Sequence, residues 1–271
     1  MGIVNVTPDS FSDGGAYLEP EAAVAHGLRL AAEGADLLDV GGESTRPGAA
    51  AVSVEDELNR VLPVLEGLRS AGPRISIDTS KAAVAERALA EGAEVVNDVT
   101  ALADPEMGAV CAAADCDLIL MHMKGTPRTM QLDPTYDDVV AEVSSHLAER
   151  LERALAAGVQ RERIWLDPGI GFGKSPEHNL ELINGLEQLR ALERPLVLGA
   201  SRKTFIGKLT DRPVDQRLGG SLAAAVLGVA RGADVLRVHD VAETRDALVI
   251  AEALLGRGSW RVAAGAEPVS S

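Results

Sequence analysis

Eight short apolar runs punctuate the chain, at residues 3–6, 37–40, 75–77, 94–96, 118–121, 164–166, 196–198 and 235–238. They are apolar almost throughout instead of alternating, the pattern of parallel strands covered on both faces. Between them lie segments rich in Ala, Leu, Glu and Arg, which favour helix: 20–33, 54–70, 81–91, 105–114, 136–157, 178–192, 214–231 and 241–255. Strict alternation of the two predicts an α/β fold, and eight repeats predict a single-domain (β/α)8 TIM barrel. An open doubly wound sheet shares this periodicity, because spacing alone cannot show closure.

The connections are asymmetric. Glu33-Gly34-Ala35-Asp36, Glu91-Gly92-Ala93-Glu94 and Arg231-Gly232-Ala233-Asp234 each end a helix on Gly and enter a strand at once; Ala157-Gly158-Val159 is similar. Gly there suits a left-handed residue just past the helix. The segments after the strands, such as 7–15 and 41–50, are longer and richer in Gly, Pro and charge. Function in such folds sits on the rim built by the post-strand loops. With no internal linker, residues 1–262 read as one domain and the small, polar stretch 263–271 as a mobile tail.

Composition narrows the picture. A hydrophobic content of 46% supports a large core, yet aromatics are only 3%, so Ala, Val and Leu fill it. A formal charge of −15 argues against a nucleic-acid or anionic-membrane binder. It leaves an anionic small ligand open, since local basic residues decide that. No apolar run has the length of a membrane span. Cys111 and Cys116 have no metal-ligand spacing and read as reduced, buried thiols of a cytoplasmic protein.

Polar residues close nearly every run: Asn5, Glu43 to Arg46, Asp78, Asn97-Asp98, His122, Asp167, Ser201 to Lys203, and Arg237 with His239. In a closed barrel they would converge on one rim. Asp carboxylates at 78 and 167 can each accept two adjacent N–H groups of a flat heterocycle. Asn97 can donate and accept, and Lys203 can meet a ring carbonyl or nitrogen. Together they suit a guanidine-like edge such as that of a pterin. Arg237 and His239, alternating at one strand end, could hold phosphate oxygens. Thr45 and Arg46 offer a hydroxyl and a guanidinium fork on a Gly-rich loop. The stretch Asp167-Pro168-Gly169-Ile170-Gly171-Phe172-Gly173-Lys174-Ser175 ends like a phosphate-binding P-loop. Its first Gly would fall on Pro168, which rules that motif out. His26, His146 and His178 lie in helical or capping contexts and read as structural; His122 sits at a strand end, near the rim. No zinc spacing and no G-x-S-x-G elbow occur.

These stretches resemble the dihydropteroate synthase family. The run Asn5-Val6-Thr7-Pro8-Asp9-Ser10-Phe11-Ser12-Asp13-Gly14-Gly15 is similar to its first signature. Gly41-Gly42-Glu43-Ser44-Thr45-Arg46-Pro47-Gly48 is similar to its second. Further matches run in order through Asp78, Asn97, Met121-His122-Met123, Asp167 to Lys174, Ser201-Arg202-Lys203 and Arg237-Val238-His239-Asp240. The resemblance covers almost the whole chain. It implies a (β/α)8 barrel and a transferase of folate biosynthesis, which joins 6-hydroxymethyl-7,8-dihydropterin diphosphate to 4-aminobenzoate. The products are dihydropteroate and diphosphate, and Mg2+ assists. It implies pterin contacts from Asp78, Asn97, Asp167 and Lys203, with Met121 and Phe172 bordering the pocket. It assigns Asn5 to Mg2+, and Thr45, Arg46, Arg237 and His239 to the diphosphate. Ser201 and the two long loops would complete the 4-aminobenzoate site, where sulfonamides compete. Asp78, Lys203, Arg237 and His239 would carry catalysis.

Three departures from the family pattern stand out. Little sequence precedes the first strand: either the start is trimmed or the bottom of the barrel is less covered. Thr100-Ala101 stands where Ser-Gly is common, and Thr204 where Ser is common. The residues leave two rivals: a methyltetrahydrofolate-corrinoid methyltransferase-like pterin enzyme, and a barrel that binds pterin without turnover. The first would need no Arg and His at the last strand. Residues 219–230 are small and apolar nearly all round. They suit tight packing on the barrel and, as the resemblance implies, a homodimer face.

Overall fold

The apolar runs form eight strands in the computed structural model, which describes residues 1–6, 19–45, 48–132 and 134–256. They are β1 (Gly2–Asn5), β2 (Leu37–Gly41), β3 (Arg74–Asp78), β4 (Val95–Asp98), β5 (Asp117–Met121), β6 (Ile164–Asp167), β7 (Val197–Leu198) and β8 (Val235–Leu236). All pair in parallel, β1 to β6 in chain order and β7 with β8. Two single bridges join these sheets, Leu166 with Leu196 and Gly2 with Val238. At the second seam Ile3 N–H donates to Val238 O at 3.0 Å and Val238 N–H to Met1 O at 2.9 Å. Every strand therefore has two neighbours, and the ring is closed. The open sheet is excluded.

Ten helices are found among the described residues: α1 (Glu19–Ala32), α2 (Val54–Leu68), α3 (Ala82–Ala90), α4 (Met107–Ala114), α5 (Val139–Ala156), α6 (Pro176–Asn184), α7 (Leu186–Leu189), α8 (Thr204–Thr210), α9 (Leu218–Ala230) and α10 (Val241–Leu254). The helix expected over 178–192 is broken at Gly185. Those expected from 105 and 136 start later, α5 where Asp138 caps it by accepting from Val140 N–H and Ala141 N–H. The one over 214–231 divides into a 3-10 turn and α9. Helix α8 was not expected from the sequence at all. The Gly-punctuated turns form as read: Gly34, Gly92, Gly158 and Gly232 all have φ between 92° and 106°. In each, the following N–H reaches back five residues, as Ala35 N–H does to Leu30 O at 3.0 Å.

The strand pleat explains both core and site. Outward positions such as Leu38, Val40, Ile77, Leu118, Leu120 and Leu166 are buried under the helices in the main core. Inward positions Leu37, Val95, Ile119 and Val197 pack with Trp165 and Val235 into a separate plug. Two residues further along the same strands, on the same side by the period of two, stand Asp39, Asn97, Met121, Asp167 and Arg237. The barrel interior thus changes from apolar to charged within one step of the pleat. The tail 263–271 lies outside the described residues.

Candidate active site

Arg237 organises the charged layer. Its Nε donates to Asp39 Oδ2 at 2.6 Å and its Nη2 to Asp78 Oδ2 at 2.7 Å. Asn97 Nδ2 donates to the same Asp39 oxygen at 3.0 Å. Asp78, Asn97, Asp167 and Asp39 are all buried, Asp39 completely. The pairing registers place Gly41, Asp78 and Asn97 on one level of neighbouring strands. The sequence reading assigned Arg237 to the diphosphate with His239. In the structure two of its nitrogens face carboxylates within the barrel mouth.

Electrostatics follow from this crowding. Burial, aided by Asp39 and Glu57, pushes the Asp78 carboxyl up to about 7, against Arg237 and Lys203, which pull it down. Burial also raises Asp167, while the Gly169 N–H it accepts at 2.7 Å and the Lys203 ammonium oppose the rise. Lys203 is lowered to about 8 by burial and by Arg237. Burial alone would lower Arg237, but Asp39 and Asp78 lift it well above its ordinary value, so it stays charged. Three carboxylates face two cations, leaving acceptor capacity for a donor-rich ligand edge.

Beside the carboxylates Met121, Val99, Met130 and Phe172 make a small apolar cluster with Met123. The Lys203 ammonium lies 4.1 Å from the centre of the Phe172 ring. A flat heterocycle between such groups would meet acceptors at its edge and apolar matter at its face.

Ser201 and His239 form a second group. Their Oγ and Nδ1 are 3.0 Å apart, and His239 N–H donates to Ser201 Oγ at 3.2 Å. Burial, with Arg202 and Arg237 nearby, lowers His239 to about 4, so the imidazole is neutral near pH 7 and offers one N–H. Arg202, between the site residues Ser201 and Lys203, is held at φ 56°. Its side chain pairs with Asp240, and its N–H donates to Ser221 Oγ at 2.9 Å.

At the barrel mouth a cavity of about 360 Å³ is lined by Glu43, Ser44, Thr45, Asp78, Thr100 and Arg128, among others. Its wall is stiffened by Lys81, whose ammonium donates to both Glu43 and the fully buried Glu57. Glu43 also accepts Val52 N–H at 3.1 Å, closing the loop on itself. Arg46 and residues 7–15 of the first loop lie outside the described residues. Asn5 ends β1, opposite Gly41.

Sequence reading missed Asp39, Glu57 and Lys81. A carboxylate inside Leu37-Leu38-Asp39-Val40, a run otherwise apolar, was the available signal for Asp39. His122 does not face the pocket; it is buried behind it against Lys174, His146 and Tyr136. Mg2+ takes oxygen ligands, keeps several waters and commonly binds through one or two protein groups plus substrate phosphates. Among the described residues no three His, Cys, Asp or Glu converge to cage a metal. The Asn5 amide oxygen at the rim fits an ion that arrives with a diphosphate.

A closed barrel with a charged, ligand-sized pocket on this rim is a (β/α)8 enzyme. Residues 1–239 match the family model described as pterin binding enzyme. The dihydropteroate synthase of Escherichia coli strain K12 is 48% identical over 258 residues, covering 94% of this chain and 91% of that one. A Xanthomonas albilineans dihydropteroate synthase structure with 4-aminobenzoic acid is 52% identical, with a TM-score of 0.89 and coverage of 95% and 93%. A Yersinia pestis dihydropteroate synthase in a sulfonamide drug complex is 45% identical, with a TM-score of 0.90 and coverage of 94% of each chain. The chain belongs to the dihydropteroate synthase family of pterin-binding enzymes.

Proposed function

We infer that this chain condenses 6-hydroxymethyl-7,8-dihydropterin diphosphate with 4-aminobenzoate, giving 7,8-dihydropteroate and diphosphate. The observation that carries the reading is the group of Asp78 and Asn97, tied together by Arg237 and Asp39, with Asp167 and with Lys203 over the Phe172 ring.

Asp78 and Asp167 accept the ring N–H groups, Asn97 pairs with a neighbouring edge, and Lys203 meets a ring carbonyl or nitrogen. Met121 and Phe172 support the ring face. The bond from the pterin methylene carbon to the diphosphate oxygen breaks, and the electron pair leaves with diphosphate. Asp78, as carboxylate, stabilises the cation left on the dihydropterin. His239 and Thr45 receive the departing anion, a role that Arg46, outside the described residues, would share with Arg237. Asn5 would hold Mg2+, whose chemistry is to balance charge on the leaving group. The neutral aromatic amine then forms the new C–N bond and sheds one proton. Ser201 and the two rim loops enclose it and exclude water, the competing nucleophile.

No described helix is long and apolar enough to cross a membrane. A cytoplasmic site of action suits a diphosphate substrate too charged to cross a bilayer. Exposed Leu227 on α9 and Val249, Ile250 and Leu254 on α10 support a homodimer through that face. Light scattering at two concentrations tests the dimer. The activity is tested by product analysis. The purified chain with both substrates and Mg2+ should release dihydropteroate and diphosphate in equal amounts. Binding of pterin diphosphate without product would overturn the synthase reading and leave the two rivals.

A further inference from the structure

The Gly-Lys-Ser run that mimics a P-loop leaves Lys174 without a phosphate to bind, and the structure puts it elsewhere. Lys174 is 3% exposed, rare for a lysine. Its ammonium donates to His122 Nδ1 at 2.8 Å, Gly169 O at 2.9 Å and Phe172 O at 3.0 Å. An ammonium has three N–H groups, and all three are used.

These acceptors connect the two halves of the pterin pocket. Gly169 follows the Asp167 turn, and its N–H donates back to Asp167 Oδ1 at 2.7 Å. Phe172 carries the ring beneath Lys203. The third acceptor, His122, begins the loop after β5, and its N–H donates to Asp167 O at 3.0 Å. The two loops are pressed together. Gly169 has φ 68°, and a Cβ there would lie 1.8 Å from His122 O. Accepting through Nδ1 puts the imidazole proton on Nε2, so His122 is neutral. Burial and the adjacent Lys174 both hold its pKa well below the ordinary value.

The geometry points to Lys174 as a positioning residue for the pterin substrate, acting through loop 167–174 by fixing the Asp167 carboxylate and the Phe172 ring in one arrangement. A methionine could fill the same space without burying an ammonium, whose desolvation is costly. Only the ammonium supplies three directed donors here; without it Phe172 O loses its donor, while Gly169 O keeps only the Phe172 N–H at 3.1 Å. The inference rests on the pterin reading above and adds a residue that touches neither substrate.

The test compares Lys174→Met with the unaltered chain, varying each substrate at saturation of the other. The KM for pterin diphosphate should rise about tenfold, the equivalent of one strong hydrogen bond. The KM for 4-aminobenzoate should move less than about twofold, within ordinary scatter. Ethylammonium added to Lys174→Ala should restore part of the pterin affinity, which a general loss of folding would not allow. Where Lys174→Met yields no folded protein, His122→Leu removes one acceptor and should raise the pterin KM alone. An unchanged pterin KM, or equal losses for both substrates, overturns the positioning role. An unaltered chain that makes no dihydropteroate instead overturns the functional reading, so the two failures are distinct.

Discussion

Asp39→Asn isolates the residue on which the charged layer turns. Asp39 is fully buried and accepts Arg237 Nε at 2.6 Å and Asn97 Nδ2 at 3.0 Å through one oxygen, while Oδ1 has no partner among the described residues. An asparagine can keep its carbonyl oxygen at the shared position and turn its NH2 to the unpartnered side. Both hydrogen bonds then survive, but their charge assistance is lost. Charged bonds contribute about 1.5–3 kcal/mol and neutral ones about 0.5–1.5. The substitution therefore costs about 1 kcal/mol per bond, or roughly 2 kcal/mol in all. In a chain of this size that lowers the unfolding midpoint by about 4–8 °C. If the same bonds hold Arg237 and Asn97 ready for the ring, kcat/KM for pterin diphosphate falls roughly 30-fold. A second signature is independent of magnitude. Asp39 is one of the charges that raise Asp78, and without it Arg237 acts more fully on Asp78. The acidic limb of the pH profile should move below about 7. Initial rates of dihydropteroate formation across pH, with a thermal melt of the same preparation, provide the assay. An unchanged kcat/KM, or an acidic limb displaced upward, would refute the reasoning.

Other outcomes follow from the same geometry. In the unaltered chain, kcat/KM for the pterin should rise through about pH 7 as Asp78 ionises and fall above about 8 as Lys203 loses its proton; a flat profile over that span contradicts both assignments. Asp78→Asn should lower kcat more than it weakens pterin binding by calorimetry, and equal losses would count against cation stabilisation. Stability has the opposite pH sense to activity. Asp78 is raised above its ordinary 3.8, so the folded state binds the extra proton and stability falls as pH climbs from about 4 to 7. Melting curves should show this fall reduced in Asp78→Asn. Lys81→Met strands the buried Glu57 and should cost about 3 kcal/mol; adding Glu57→Leu should recover most of it. Sulfonamides should compete with 4-aminobenzoate and not with pterin diphosphate in steady-state inhibition.

The barrel was legible because strand runs covered on both faces carry a continuous apolar signal, and Gly34, Gly92 and Gly232 mark helix ends that need a left-handed residue. Helix α8 was hidden because Thr-Phe-Ile-Gly-Lys-Leu-Thr is too short to show a period and follows directly on a motif that reads as loop. Asp78, Asn97 and Asp167 were legible because each ends its run. Asp39 was not, since it sits one pleat step lower, where a local reading sees only an apolar strand; the pairing that gives it meaning comes from Arg237, 198 positions away. Lys81 and Glu57 escaped for a related reason. A helix residue, Glu57, and the residue just before α3, Lys81, with solvated-looking neighbours reveal a buried ion pair only once α2 and α3 are side by side.

The central claim is that one flat bicyclic ring is held by groups from four strands and the loops beyond them. A crystal structure with 6-hydroxymethylpterin tests it most directly. The account predicts the ring edge within hydrogen-bonding reach, about 2.7–3.2 Å, of the Asp78, Asn97 and Asp167 side chains, with Phe172 and Met121 against its face and the Arg237 pairing to Asp39 intact. A pterin seated elsewhere, or one that reaches the mouth without touching those three side chains, would contradict it.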